Sequence, residues 1–66
     1  MQVRLNGEIR EIPDGITVAG LLSHLGIKAD RVAVEVNETV VTKDRHGLHG
    51  LRQGDAVEIV AFVGGG

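Results

Sequence analysis

One stretch alone carries the stripe of a packed helix, and it limits the folds open to this chain more than any other feature. Val18, Leu21, Leu22 and Leu25 fall at i, i+3, i+4 and i+7, a single apolar face. Thr17 stands where a hydroxyl can cap the first turn, and Gly26 suits the left-handed position that closes a helix. The predicted helix is about nine residues long and holds Gly20 in its interior, at a cost of about 1 kcal/mol relative to Ala. A helix this short does not persist in water, so its apolar face must lie on a sheet.

Alternating segments on either side supply that sheet. Val3 and Leu5 alternate with Gln2 and Arg4. Asn6-Gly7 follows, the strongest short hairpin signal, because both positions of a type I′ turn need positive φ. A returning strand over 8–12 ends at the turn Pro13-Asp14-Gly15. After the helix, Val32, Val34 and Val36 alternate with Ala33, Glu35 and Asn37 as a third strand. Asn37-Glu38 turns it into a short edge strand at Val40-Val41, and residues 43–50 read as irregular, with room for one helical turn. Gln53-Gly54-Asp55 leads into the last strand, over 56–63, where Val57 and Ile59 face the core.

Hairpin, helix, strand, short strand, strand: this order predicts an α+β fold of the ubiquitin-like β-grasp kind. One main helix crosses a mixed sheet of four to five strands, and the last strand inserts beside the first, parallel to it, at the sheet centre. The near-continuous apolar run from Val57 to Val63 suits that central place. A ferredoxin-like arrangement needs a second full helix, and residues 43–50 contain two glycines and no stripe.

A chain of 66 residues makes one domain, expected here as 1–63 with a flexible glycine tail over 64–66. At that size only about 60% of the unfolded surface is buried, and no cysteine is present to staple the fold. The same absence excludes thiolate nucleophiles, Cys-based zinc sites and iron–sulfur ligation. With one Phe and no Tyr or Trp, the core is aliphatic, and Phe62 is the only large aromatic available to anchor an interface. The net charge of −2 is spread along the chain without a basic block, which argues against nucleic-acid binding. No apolar run approaches a membrane span and no signal sequence opens the chain, so a cytoplasmic protein without membrane contact is expected.

The end of the last strand raises a question of its own. Val60 and Phe62 share the parity of Glu58, so they should point away from the core that takes Val57 and Ile59. Either a loop covers this end of the sheet, or Glu58, Val60 and Phe62 form an exposed patch that recognises a partner. Beyond them the chain reads Val63-Gly64-Gly65-Gly66. Triglycine threads a channel too narrow for any Cβ, at a high entropic cost. The tail therefore either reaches inside another protein or is a frayed end, a cloning remnant or a truncated linker. A terminal carboxylate is a poor electrophile at neutral pH until ATP converts it to an acyl-adenylate. The chain has no Gly-x-x-x-x-Gly-Lys-Ser/Thr loop to hold ATP, so a separate enzyme would have to perform that step.

Several segments carry a family resemblance when taken together: Val3-x-Leu5-Asn6-Gly7, Thr17-Val18-x-x-Leu21-Leu22 and Val32-Ala33-Val34-Glu35-x-Asn37. Leu51-x-x-Gly54-Asp55-x-Val57-Glu58-Ile59-Val60 and the closing Phe62-Val63-Gly64-Gly65-Gly66 complete the set. End to end, the chain resembles the sulfur carrier proteins of thiamin biosynthesis, the ThiS family of β-grasp proteins. That resemblance implies three partners. An adenylating enzyme related to ubiquitin-activating enzymes couples ATP to the Gly66 carboxylate. A sulfur donor protein, loaded with a cysteine-derived persulfide, replaces AMP with sulfur. Thiazole synthase then receives sulfur from the Gly66 thiocarboxylate. Gly66 is thereby implied as the attachment point and Gly64 and Gly65 as the residues threading partner channels, with no bound cofactor and no intrinsic catalysis. A monomer that associates with its enzymes is expected.

Family members often carry a Trp after the third strand, where this chain has Thr42-Lys43-Asp44-Arg45-His46, so that region is expected to pack differently. The small subunit of molybdopterin synthase shares the diglycine chemistry but tends to carry prolines before it, whereas the one proline here is Pro13. A covalent protein modifier would share the activation step. A β-grasp docking module that is never activated would tolerate loss of Gly65-Gly66. His46-Gly47-Leu48-His49 sets two histidines three apart, with Asp44 the nearest third ligand; solvated loop histidines are expected there instead of a metal site. His24 is expected on the flank of the helix.

Overall fold

The alternating segments form five strands in the computed structural model, which describes residues 1–62. They are β1 (Gln2–Leu5), β2 (Glu8–Glu11), β3 (Val32–Val36), β4 (Thr39–Val41) and β5 (Ala56–Ala61). β1 and β2 pair antiparallel, as do β3 and β4, and β5 lies between the two hairpins, parallel to β1 and antiparallel to β3. The order across the sheet is β2-β1-β5-β3-β4. This is the expected mixed sheet with the last strand at its centre. Among the described residues a single α-helix crosses it, α1 (Val18–His24), so the ferredoxin-like alternative is excluded. The irregular stretch after β4 contains one 3₁₀ turn, Lys43–Arg45, and a second such turn, Ala29–Arg31, leads into β3.

Both hairpins turn through two left-handed residues. Asn6 and Gly7 have φ of 48° and 85°, and Asn37 and Glu38 have 52° and 71°. This is the signature of the type I′ turn, which matches the twist of the strands it joins.

The helix is shorter than expected, seven residues, and its start is fully capped. The Thr17 hydroxyl accepts from the Gly20 amide at 3.1 Å. The Val18 and Ala19 amides donate to the carbonyls of His49 and His46 at 3.0 and 2.8 Å. The irregular segment therefore straps the helix N-terminus and pairs donors that would otherwise be orphaned. A Cβ on Gly20 would lie 2.7 Å from Ile16 Cγ1, so the glycine that weakens the helix also lets Ile16 close against it.

Val18, Leu21 and Leu22 project from the helix onto Val3, Val34 and Val57 of the three central strands, all essentially inaccessible. Each fully buried leucine contributes about 1.5–3 kcal/mol of transfer free energy. Ile12, just past β2, and Leu51, in the loop before β5, close the two ends of the core.

Candidate functional site

β5 carries the chain toward its C-terminal glycines, so what holds β5 positions the candidate site. The backbone groups of its alternate residues face opposite neighbours. On the β1 side, the Arg4 and Asn6 amides donate to the carbonyls of Asp55 and Val57, each at 2.9 Å. β1 then ends, and the Asn6 side chain takes over: its Oδ1 accepts from the Ile59 amide at 2.8 Å and its Nδ2 donates to the Ile59 carbonyl at 3.2 Å. On the β3 side Asn37 does the equivalent. Its amide donates to the Ala56 carbonyl at 2.7 Å, its Oδ1 accepts from the Ala56 amide at 3.0 Å, and its Nδ2 donates to Asp55 at 3.0 Å. Two asparagines read as turn formers thus also grip the central strand from opposite edges. A turn signal gives no hint of this, because Asn6 and Ile59 lie far apart in the sequence.

Past Ile59 the support becomes one-sided. β3 continues beside β5, with Ala33 opposite Val60 and Val32 opposite Ala61, and the Phe62 amide donates to the Arg31 carbonyl at 3.0 Å. Glu58, Val60 and Phe62 share the face turned away from the helix, as their parity predicted. No described loop covers them: Val60 is 56% exposed and Phe62 61%. Val40, opposite Glu35 on β4, adds a further exposed apolar side chain to this face. Phe62, Ala33, Val40, Thr42 and Lys43 border a shallow apolar cavity of about 360 Å3 between β3, β4 and the 3₁₀ turns. Glu58 lies directly opposite Glu35. The central strand is therefore apolar except at Glu58 without being buried on both faces, and its outward apolar residues are concentrated at its C-terminal end. Val63, expected as the end of β5, and Gly64, Gly65 and Gly66, expected as the tail, lie outside the described residues.

The histidine expectation is corrected in part. His46 is buried, 4% exposed, and its Nε2 lies 3.1 Å from the Val41 carbonyl. It caps the Lys43–Arg45 turn, and the turn rotates the ring under β4 instead of into solvent. The buried Nδ1 has no hydrogen-bond partner among the described residues. A carbonyl oxygen only accepts, so in this contact Nε2 is the donor to Val41. His49 is half-buried, and His24 ends the helix on its exposed flank. No cluster of three metal-ligating side chains occurs among the described residues. In the same turn, the Asp44 carboxyl sits below its ordinary range, chiefly because the Thr42 side chain hydrogen-bonds to it. No helix among the described residues is long and apolar enough to cross a membrane.

The chain as a whole has counterparts among known proteins. The family model described as ThiS family matches residues 3–66. The chain is 42% identical over 66 residues to the thiazole synthase of Magnetococcus marinus, a match covering all of this chain and 20% of that protein. The chain thus spans a fifth of the length of that relative. It is 39% identical over 64 residues to the sulfur carrier protein ThiS of Thermus thermophilus, covering 97% of this chain and 98% of that one. The crystal structure of the thiamine biosynthesis protein ThiS from Geobacter metallireducens superposes with a TM-score of 0.87 at 33% identity, over the whole of both chains.

Proposed function

The chain belongs to the ThiS family, and from that premise we propose that it is a sulfur carrier of thiamin biosynthesis whose reactive group is the carboxylate of Gly66. The observation that carries this reading is the reach of the family match through Gly66, so that the glycine end is part of the family pattern. The β5 geometry supports it: the strand is gripped on both edges at its root and leads, on one edge only, toward the three glycines.

In this reading the carboxylate attacks the α-phosphorus of ATP on a partner adenylating enzyme, forming an acyl-adenylate and releasing pyrophosphate. A protein persulfide then attacks the acyl carbon and AMP leaves. A thiol cleaves the resulting sulfur–sulfur bond, leaving the thiocarboxylate on Gly66 and a disulfide on the donor side. The chain supplies the handle and the electrophile, and the enzymes supply the catalysis. Glu58, Val60 and Phe62 dock against these partners, with Gly64 and Gly65 lying in their channels. The match to part of a thiazole synthase favours that enzyme as the one that takes the sulfur.

Intact mass of the protein isolated from cells tests this reading. Exchange of oxygen for sulfur adds about 16 Da, as does oxidation of Met1 to its sulfoxide, so the shift must be found on the C-terminal peptide. If the protein also gains no mass at Gly66 after incubation with the adenylating enzyme, ATP and a persulfide donor, it is not a carrier.

A further inference from the structure

The one-sided end of β5 leaves a backbone edge open inside the sheet. Even-numbered residues of β5 turn their N–H and C=O toward β3, and odd-numbered ones toward β1: Asp55 and Val57 meet Arg4 and Asn6, and Ile59 meets the Asn6 side chain. Ala61 is next in that series. Its N–H and C=O face the β1 side, where β1 has already ended, and no described group meets them. Free edges normally carry protection such as charge, proline or a bulge. The outer edge strand β2 has Glu8, Arg10 and Glu11. Ala61 itself brings only a methyl group to its edge.

A groove of about 500 Å3 opens along the same edge, bordered by Leu5, Leu25, Ile27, Ile59 and Ala61, with Arg10 among its walls. Among the described residues no carboxylate pairs with Arg10. An unpaired backbone edge, an apolar groove and an uncompensated cation therefore lie together where the chain departs toward its glycines.

We propose that this edge is a strand-addition site: an extended segment of the activating enzyme pairs with the Ala61 N–H and C=O in the place β1 vacates, sets an apolar side chain into the groove and an acidic one against Arg10. Main-chain pairing supplies affinity in this mode and the flanking pocket supplies selectivity. The proposal rests on the carrier reading for the identity of its partner. It differs from the sheet-face patch of Val60 and Phe62, which lies on the opposite side of β5 from the groove.

The test uses the full chain made by chemical synthesis, with the Ala61 amide replaced by an ester, which removes one N–H and no side chain. That N–H has no partner among the described residues, so thermal stability should fall only slightly, through the weaker ester carbonyl of Val60 that faces β3. Affinity for the adenylating enzyme should fall about tenfold, the upper range for one hydrogen bond, and Arg10→Glu should weaken it comparably. In the native chain, hydrogen exchange at Ala61 should slow on complex formation. Pyrophosphate release with unaltered exchange at Ala61 and full affinity of the ester overturns the strand-addition site and leaves the carrier reading standing. No pyrophosphate release from ATP when the enzyme is given the native chain removes both. Concentration-dependent protection of Ala61 without the enzyme overturns the proposal in favour of pairing between two copies.

Discussion

The two ends of β5 are built from the same kinds of residue and treated in opposite ways. At the root, Val57 is fully buried under the helix, and both edges of the strand are occupied, by β1 and Asn6 on one side and by β3 and Asn37 on the other. At the tip, Val60 and Phe62 stand mostly in solvent, and only β3 remains alongside. Neighbours, not composition, decide which part of an apolar strand becomes core. The root anchors the strand in the domain, and the tip is left with an apolar face and an edge that no other described residue pairs with.

The sharpest way to break that contrast is one substitution made at both ends. Val57→Glu places an unpaired carboxylate in the core and should cost several kcal/mol, comparable to the whole stability of so small a domain. Circular dichroism should report a largely unfolded chain. Phe62→Glu should leave the unfolding midpoint within about 0.5 kcal/mol of the parent, as for other exposed sites. Equal losses at the two positions would mean that the tip is part of the core after all.

The root also separates what could be read in the sequence from what could not. Periodicity located β1, β3 and β5, because a two-residue repeat is local, the turns placed β2 and β4 beside them, and the stripe of Val18, Leu21 and Leu22 located the helix. Asn6-Gly7 is legible as a turn from the tolerance of both residues for positive φ, and Asn37-Glu38 as a turn although Glu38 also takes a positive φ. Their second role is not, because it depends on which distant backbone atoms the fold delivers to them. His46 escaped for a related reason: polar and surrounded by charged residues and glycine, it reads as solvated, and only the 3₁₀ turn directs its ring inward. At the tip, strand parity placed Glu58, Val60 and Phe62 on one face, but it could not state that nothing covers them. The open edge at Ala61 needed the length of β1 and the register of both its neighbours.

Asn6→Gly tests the grip at the root. Glycine keeps the left-handed turn and deletes only the side chain that meets Ile59. Two partly exposed hydrogen bonds should be worth about 1–2 kcal/mol together, read from urea denaturation. Exchange at the Ile59 amide should quicken more than exchange at Val57, whose own neighbours are untouched. A uniform change across β5 would mean that the asparagine stabilises the hairpin and does not grip the strand.

At the tip the expected effects are on association. Phe62→Glu should weaken binding to the adenylating enzyme about tenfold, the loss of one aromatic anchor, while the fold persists. Unchanged binding would leave the sheet face without a docking role and place recognition on the Ala61 edge and the glycines.

The smallest expected effect is a gain. Glu35 and Glu58 face each other across β3 and β5 on the open side of the sheet, and like charges placed so oppose pairing. Glu58→Gln should therefore stabilise the fold by about 0.2–0.5 kcal/mol, a shift resolved by thermal melts at low salt and erased at high salt. A carboxylate pair that costs stability has a reason to persist if a cationic partner surface neutralises it on docking, so the same variant should bind the adenylating enzyme more weakly. Greater stability with undiminished binding would confine the docking patch to Val60 and Phe62. Lower stability would mean that the two carboxylates are already relieved by a cation at the strand root, and that the contrast between the ends of β5 is one of packing alone.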